Sequence, residues 1–200
     1  MRNSILPPSV LAAVLSACAT ESVILNSERI ERHFGSYGIE VLASEAGLRR
    51  SNLFSYEGNT PTCRTYAVVQ FVDQLDDRYD EAHTRVLAGG SIGATFKEDG
   101  WDIDKHTLYV GTVPLPEGPS EVRRLMRLTA PHDLALHVYQ LVLVRGGIEL
   151  EYATIMEAHH PDYLNRTDLE SIFEVDVPQT LSPRDLALLT DLIFGAKNGT

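Results

Sequence analysis

Between residues 133 and 158 lie two long runs in which apolar side chains recur at every second position, separated by Arg145-Gly146-Gly147-Ile148. Nothing else in the chain limits its fold as much. Side chains alternate between the two faces of a strand, and a Gly-Gly pair supplies the positive φ angles of a two-residue hairpin loop. The pattern predicts an antiparallel hairpin pairing Leu143 with Leu150, Leu141 with Tyr152, Tyr139 with Thr154 and His137 with Met156. In that register these side chains form the core face. Glu149, Glu151 and Glu157 go to the opposite, partly wet face with Val138, Val142 and Val144.

The flanking segments fit around such a hairpin. A first helix is predicted from Ser27 to about Phe34, ended by Gly35 and Gly38. Strands follow over 39–44, 48–56 and 62–72, with Asn59-Thr60-Pro61 marking a turn. Asp80 opens a helix, and 101–113 reads as another strand that stops where Pro114, Pro116, Gly118 and Pro119 crowd together. A short helix or turn covers 120–128. Two helices close the chain. Thr167-Asp168-Leu169-Glu170 has the spacing of a capping box, and Ser182-Pro183 supplies an N-cap followed by proline in the first turn. Leu186, Leu189 and Ile193 share a face of the last helix, which Gly195 stops. With 44% hydrophobic and 22% charged residues the chain has enough apolar matter for a packed core rather than a disordered coil. The expected fold is α+β: about six mainly antiparallel strands with helices packed on one face, forming a single domain over 27–200.

The N-terminus is of a different kind. One positive residue, Arg2, precedes a mostly apolar stretch from Ile5 to Leu15, interrupted by Pro7 and Pro8. This stretch is too short to span a bilayer and has the layout of a secretory signal. The next four residues, Leu15-Ser16-Ala17-Cys18, resemble the lipobox of bacterial lipoproteins. The resemblance implies a signal peptide over 1–17, cleavage before Cys18, and a diacylglyceryl group on its sulfur. Residues 18–26 would then be a lipidated N-terminus and tether, multiply acylated and held in a lipid bilayer, since two or more chains anchor stably where one does not. Ala19 stands where the family's inner-membrane retention signal has Asp, which implies the outer membrane, facing the periplasm.

Seventeen Lys and Arg against 28 Asp and Glu give a formal charge of −11. A polyphosphate partner needs clustered cations, so nucleic acid is not an expected partner. Arg123-Arg124 with Arg127 is the closest approach to a cluster, and it reads as a solvated helix face. With Cys18 acylated, Cys63 has no partner in the chain and is expected as a buried thiol on a strand entering the core. Asp102, Asp104 and His106 fall at alternate positions of a strand and so point the same way, the best-spaced set for a metal or for acid–base work. His159-His160 point to opposite faces unless the strand ends there, and His137 reads as a core histidine. In Gly89-Gly90-Ser91-Ile92-Gly93, either one helix from Asp80 runs to about Lys97 or it stops at Gly89. In the first case Gly89, Gly90 and Gly93 share a side, suited to close packing or a ligand groove. No dinucleotide or phosphate-loop fingerprint follows, and no cofactor is expected. These residues point to a non-enzymatic envelope lipoprotein that binds an envelope partner or a small ligand. The alternative is an envelope hydrolase or metal-dependent enzyme using Asp102, Asp104 and His106, or Cys63 with a histidine.

Overall fold

The computed structural model describes residues 24–45, 47–175 and 180–195. The signal-like segment, the lipobox with Cys18 and the tether as far as residue 23 lie outside them. The fold is α+β, built on one six-stranded, wholly antiparallel sheet in the order β1-β2-β3-β6-β5-β4. The strands are β1 (Gly38–Glu45), β2 (Leu48–Glu57), β3 (Thr60–Phe71), β4 (Asp102–Pro114), β5 (Asp133–Arg145) and β6 (Ile148–His159). Two three-stranded meanders are thus joined by the pairing of β3 with β6, leaving β1 and β4 at the edges. The helices are α1 (Asn26–Phe34), α2 (Asp80–Leu87), α3 (Ile92–Glu98), α4 (Glu121–Leu125), α5 (Arg166–Ile172) and α6 (Pro183–Phe194). Among the described residues no helix is long and apolar enough to cross a membrane.

Alternation along β3 sorts the core into two layers. Ala67, Val69 and Phe71 face one side, where Ile30 of α1, Val86 of α2, Phe96 of α3 and Leu169 of α5 cover them. The expected helical layer is this one. Tyr66 and Val68 face the other side, together with Leu134, Leu136 and Met156, and there α4 contributes Val122 and Met126 while α6 contributes Ile193. The sheet is therefore covered on both faces, the second by a shorter pair.

Local signals act where side chains can satisfy backbone donors. Gly35, at φ 74°, ends α1, and Ser182 accepts from the Asp185 backbone to start α6 with Pro183 in its first turn. The cap of α5 lies two residues earlier than the sequence suggested. Asn165, rather than Thr167, forms the reciprocal box: its side chain accepts from the Asp168 N–H at 3.1 Å, and Asp168 accepts from the Asn165 N–H at 2.8 Å. An Asn and an Asp make the same reciprocal pair of bonds that Thr and Glu would. Nor is there one helix over Gly89 to Gly93. α2 ends at Leu87, Gly89 takes φ 113°, and α3 begins at Ile92.

The hairpin turns at Gly146 and Gly147, both at positive φ, and pairs Leu143 with Leu150 and Val142 with Glu151. Beyond that the predicted register fails. Tyr152 is an extra residue in β6, so Leu141 meets Ala153, Tyr139 meets Ile155 and His137 meets Glu157. A bulge of one residue exchanges the faces of everything after it. Met156 moves to the layer under α4 and α6, while Ile155, Glu157 and His159 turn toward α1.

Tyr152 itself is fully buried, meets Phe71, Tyr79, Phe96 and His83 edge-on, and shares a 2.8 Å hydrogen bond with His83 Nδ1. Tyr152→Ala is expected to cost about 3–5 kcal/mol, as other large-to-small aromatic truncations in cores do. Urea unfolding checks this: the midpoint should fall with little change in slope.

Candidate functional site

Because β6 changes face at Tyr152, a carboxylate is carried into the layer between the sheet and α1. Glu157 is only 5% exposed. Its Oε1 accepts from Asn26 Nδ2 at 3.3 Å, and the same Nδ2 donates to Thr65 Oγ1 at 3.1 Å. Tyr163 OH donates to Asn26 Oδ1 at 2.8 Å, and Thr65 Oγ1 lies 3.0 Å from His159 Nδ1. With its oxygen accepting from Asn26, the Thr65 hydroxyl is free to donate to Nδ1, which places the His159 proton on Nε2. The first turn of α1 is pinned to β3 and β6 through this network.

Beside it is a cavity of about 70 Å³, walled by Leu25, Asn26 and Ser27 of the α1 entry and by Ser91, Ile92 and Gly93 of the α3 entry. Half-buried residues, Tyr37 and Ile39 among them, form its rim, and β2, β3, β5 and β6 form its floor. The floor is mostly apolar, with Leu53, Val69, Leu141 and Ile155 in it. Two cations and one carboxylate line the same space: Arg49, Lys105 and Glu157.

Arg49 is 1% exposed. Its Nη1 donates to the carbonyls of Val86 and Gly90 at 2.9 and 3.0 Å, and Nε donates to Ser51 Oγ at 3.0 Å. Those bonds hold the end of α2, where the carbonyls of a helix C-terminus favour a cation. They do not include a carboxylate, and Nη2 has no partner among the described residues. The Tyr37 hydroxyl is buried beside the Ser91 side chain, and burial pushes its pKa up. Burial draws the Arg49 pKa down, yet a guanidinium stays charged. Lys105 sets its ammonium 4.6 Å from the Tyr139 ring centroid, and burial lowers its pKa too. The Tyr139 hydroxyl is pushed up, first by burial and then by Glu157. Mostly apolar walls with a few convergent polar groups are the ordinary make-up of a small-molecule site.

The residues singled out in the sequence fall differently. Gly93 lines the cavity, and a Cβ there would come within 2.7 Å of the Leu25 side chain. Gly90 gives its carbonyl to Arg49 and leaves no room for a Cβ beside Arg85 O and Thr95 Oγ1; Gly89 supplies only the positive φ of the turn. Asp102, Asp104 and His106 are exposed along the edge strand β4, where Asp104 Oδ2 and His106 Nε2 approach to 3.1 Å. Among the described residues no three His, Cys, Asp or Glu side chains are grouped to hold a metal ion. Cys63 is buried in the layer under α4 and α6, where burial pushes its thiol well up, and no histidine bonds to it. Arg123 is spent on the loop around α4, donating to the carbonyls of Pro116, Gly118 and Ala130. His160 is fixed between the Met126 carbonyl and the Asp162 N–H, each at 3.0 Å. Arg49, Lys105, Tyr37 and Glu157 were not among the sequence candidates, because isolated charges carry no spacing signal.

The chain matches no known protein family, and no functionally described protein is significantly similar to it. Its chemistry has to be read from the cavity.

The buried histidines make the domain acid-sensitive. His137, stacked between Tyr139 and Phe173, is pushed down to about 2, first by burial and then by Lys105, with His159 and Arg29 adding to it. His159 is pushed down to about 4 by burial, against the pull of Glu157. Above pH 6.5, the ordinary imidazole value, both are neutral folded or unfolded and contribute no pH dependence. Below it the unfolded chain takes up protons that the folded chain refuses, so stability falls by up to ~1.4 kcal/mol per pH unit per histidine. The urea midpoint should drop steadily between pH 6.5 and 4, and His137→Phe, which keeps the stack, should make that drop shallower.

Proposed function

We propose that the chain is a lipid-anchored, non-enzymatic binding protein of the bacterial cell envelope, whose domain takes a small ligand into the cavity under α1. One observation carries the ligand reading: the buried Arg49 is among the residues lining the cavity, and its guanidinium bonds only to neutral acceptors. A buried charge is costly unless it is paired, and a ligand of opposite charge or strong accepting power in the adjoining space lowers that cost. The membrane reading is supported by Leu15-Ser16-Ala17-Cys18. Acylation at Cys18 would leave seven residues before Leu25, which borders the cavity. Seven residues reach at most about 25 Å, so the site would work close to the lipid surface.

Two measurements check the two halves. The wild-type chain should sediment with membranes and carry the mass of an acylated Cys18, whereas Cys18→Ser should do neither. Ala67→Leu adds three carbons to the cavity floor at a residue 5% exposed. It should remain folded by circular dichroism and lose ligand binding by at least about tenfold, since a filled site excludes its ligand.

A further inference from the structure

Three lysines stand among the 17 basic residues of the chain: Lys97, Lys105 and Lys197. Lys97 is tied to Glu28 Oε1 at 3.2 Å, and Lys197 lies outside the described residues. Lys105 is held differently. It sits on β4 opposite Leu141, in the row that sends Ile103 into the helical layer, and it lines the cavity under α1. Its Nζ rests 4.6 Å from the Tyr139 ring centroid, and among the described residues it makes no hydrogen bond or ion pair. The residue is half-buried, and Nζ is not one of the sealed, unpartnered polar atoms of the interior. The geometry points to Lys105 as the residue that captures a small aliphatic aldehyde in this cavity, as a reversible imine on Nζ. This rests on the small-ligand reading above and makes the binding covalent, without turnover.

The reactivity follows from the surroundings of the amine. Apolar side chains, Leu53, Val69, Leu141 and Ile155, make up most of the wall, and a charge among them is costly. The neighbouring charges do not offset that cost. Arg29 of α1 and Lys97 of α3 oppose the ammonium. Glu157 of β6 and Glu28 of α1 favour it, but Asn26 already bonds the first and Lys97 the second. Burial outweighs them and draws the Lys105 pKa down, toward the neutral amine. An arginine here would stay charged and inert, whereas a lysine desolvated in an apolar pocket is a nucleophile. Its lone pair adds to the carbonyl carbon, and the carbonyl oxygen takes a proton from the nitrogen. That oxygen then leaves as water with the second N–H proton, and a C=N bond remains. No oxidant or reductant is needed, and water restores the aldehyde. Glu157 lines the same space and is linked to the Tyr139 hydroxyl, so it is placed to pass these protons. Size limits the ligand: a cavity of about 150 Å³ takes benzene, so about 70 Å³ takes a body of a few carbons.

The test exposes the full chain, in detergent near neutral pH, to propanal and cyanoborohydride, which reduces an imine to a stable N-propyl amine. Peptide mass spectrometry then reads each lysine, with Lys97 of the same molecule as the control. Lys105 is expected to be propylated at least about tenfold faster than Lys97, since each unit of pKa lowering raises the neutral fraction about tenfold. Ala67→Leu, which fills the cavity floor, should slow labelling of Lys105 about tenfold and leave Lys97 unchanged. A parallel titration uses propanol, of the same size but without a carbonyl, and follows the backbone amide of Gly93. If Lys105 labels no faster than Lys97, or as fast in folded Ala67→Leu as in the wild type, the imine is overturned. A Gly93 shift with propanol would then leave the small-ligand reading standing. If neither labelling nor a shift is seen, both are overturned.

Discussion

One surplus residue in β6 decides which side chains of that strand enter the layer beneath α1. Without the bulge at Tyr152, Glu157 and His159 would lie on the face of the sheet that α4 and α6 cover, and the layer beneath α1 would hold no carboxylate from β6. With it, a carboxylate and an imidazole enter that layer, and the rest of the polar network assembles to meet them. Tyr152 is also the residue best placed to hold the bulge. Its ring is enclosed by aromatic edges and its hydroxyl is bonded to His83, so slipping back into register would expose an aromatic and strand a hydroxyl together.

Asn26 is the point at which this interior chemistry becomes structure. Its amide bonds to Thr65 of β3 and Glu157 of β6, and its oxygen accepts from Tyr163 beyond the end of β6. A buried network of this kind is stabilising only when nearly every member is satisfied. Here the Asn26 amide is, while His159 Nε2 in the same network and Arg49 Nη2 across the cavity are not.

Much of the architecture was legible because it rests on periodicity. The Gly146-Gly147 turn, the six strands and the amphipathic last helix with Ile193 inward all follow from alternation or helical spacing. The cavity was not legible, for two physical reasons. A bulge leaves little trace in an alternating pattern, so Glu157 was assigned to the wet face on sound local grounds. And Arg49 and Lys105, flanked by other polar residues, look like surface charges until the sheet and helices close over them. The glycine cluster gave a partial view. Gly93 borders the space and Gly90 holds Arg49, although the helix breaks between them rather than running through. By contrast, Asp102, Asp104 and His106 had good spacing, but the neighbouring strand β5 sets Val144, Val142 and Gln140 opposite them rather than a further ligand.

That position has a consequence of its own. β4 is an outermost strand of thirteen residues, and one of its sides offers backbone donors and acceptors to any passing chain. Exposed Asp102, Asp104 and His106 studding its first half make that border charged, hydrated and unwelcoming to a second strand. Copies of the chain that met edge to edge would otherwise be able to zip together. A charged row of this kind works as a fence, hindering edge-to-edge pairing between copies.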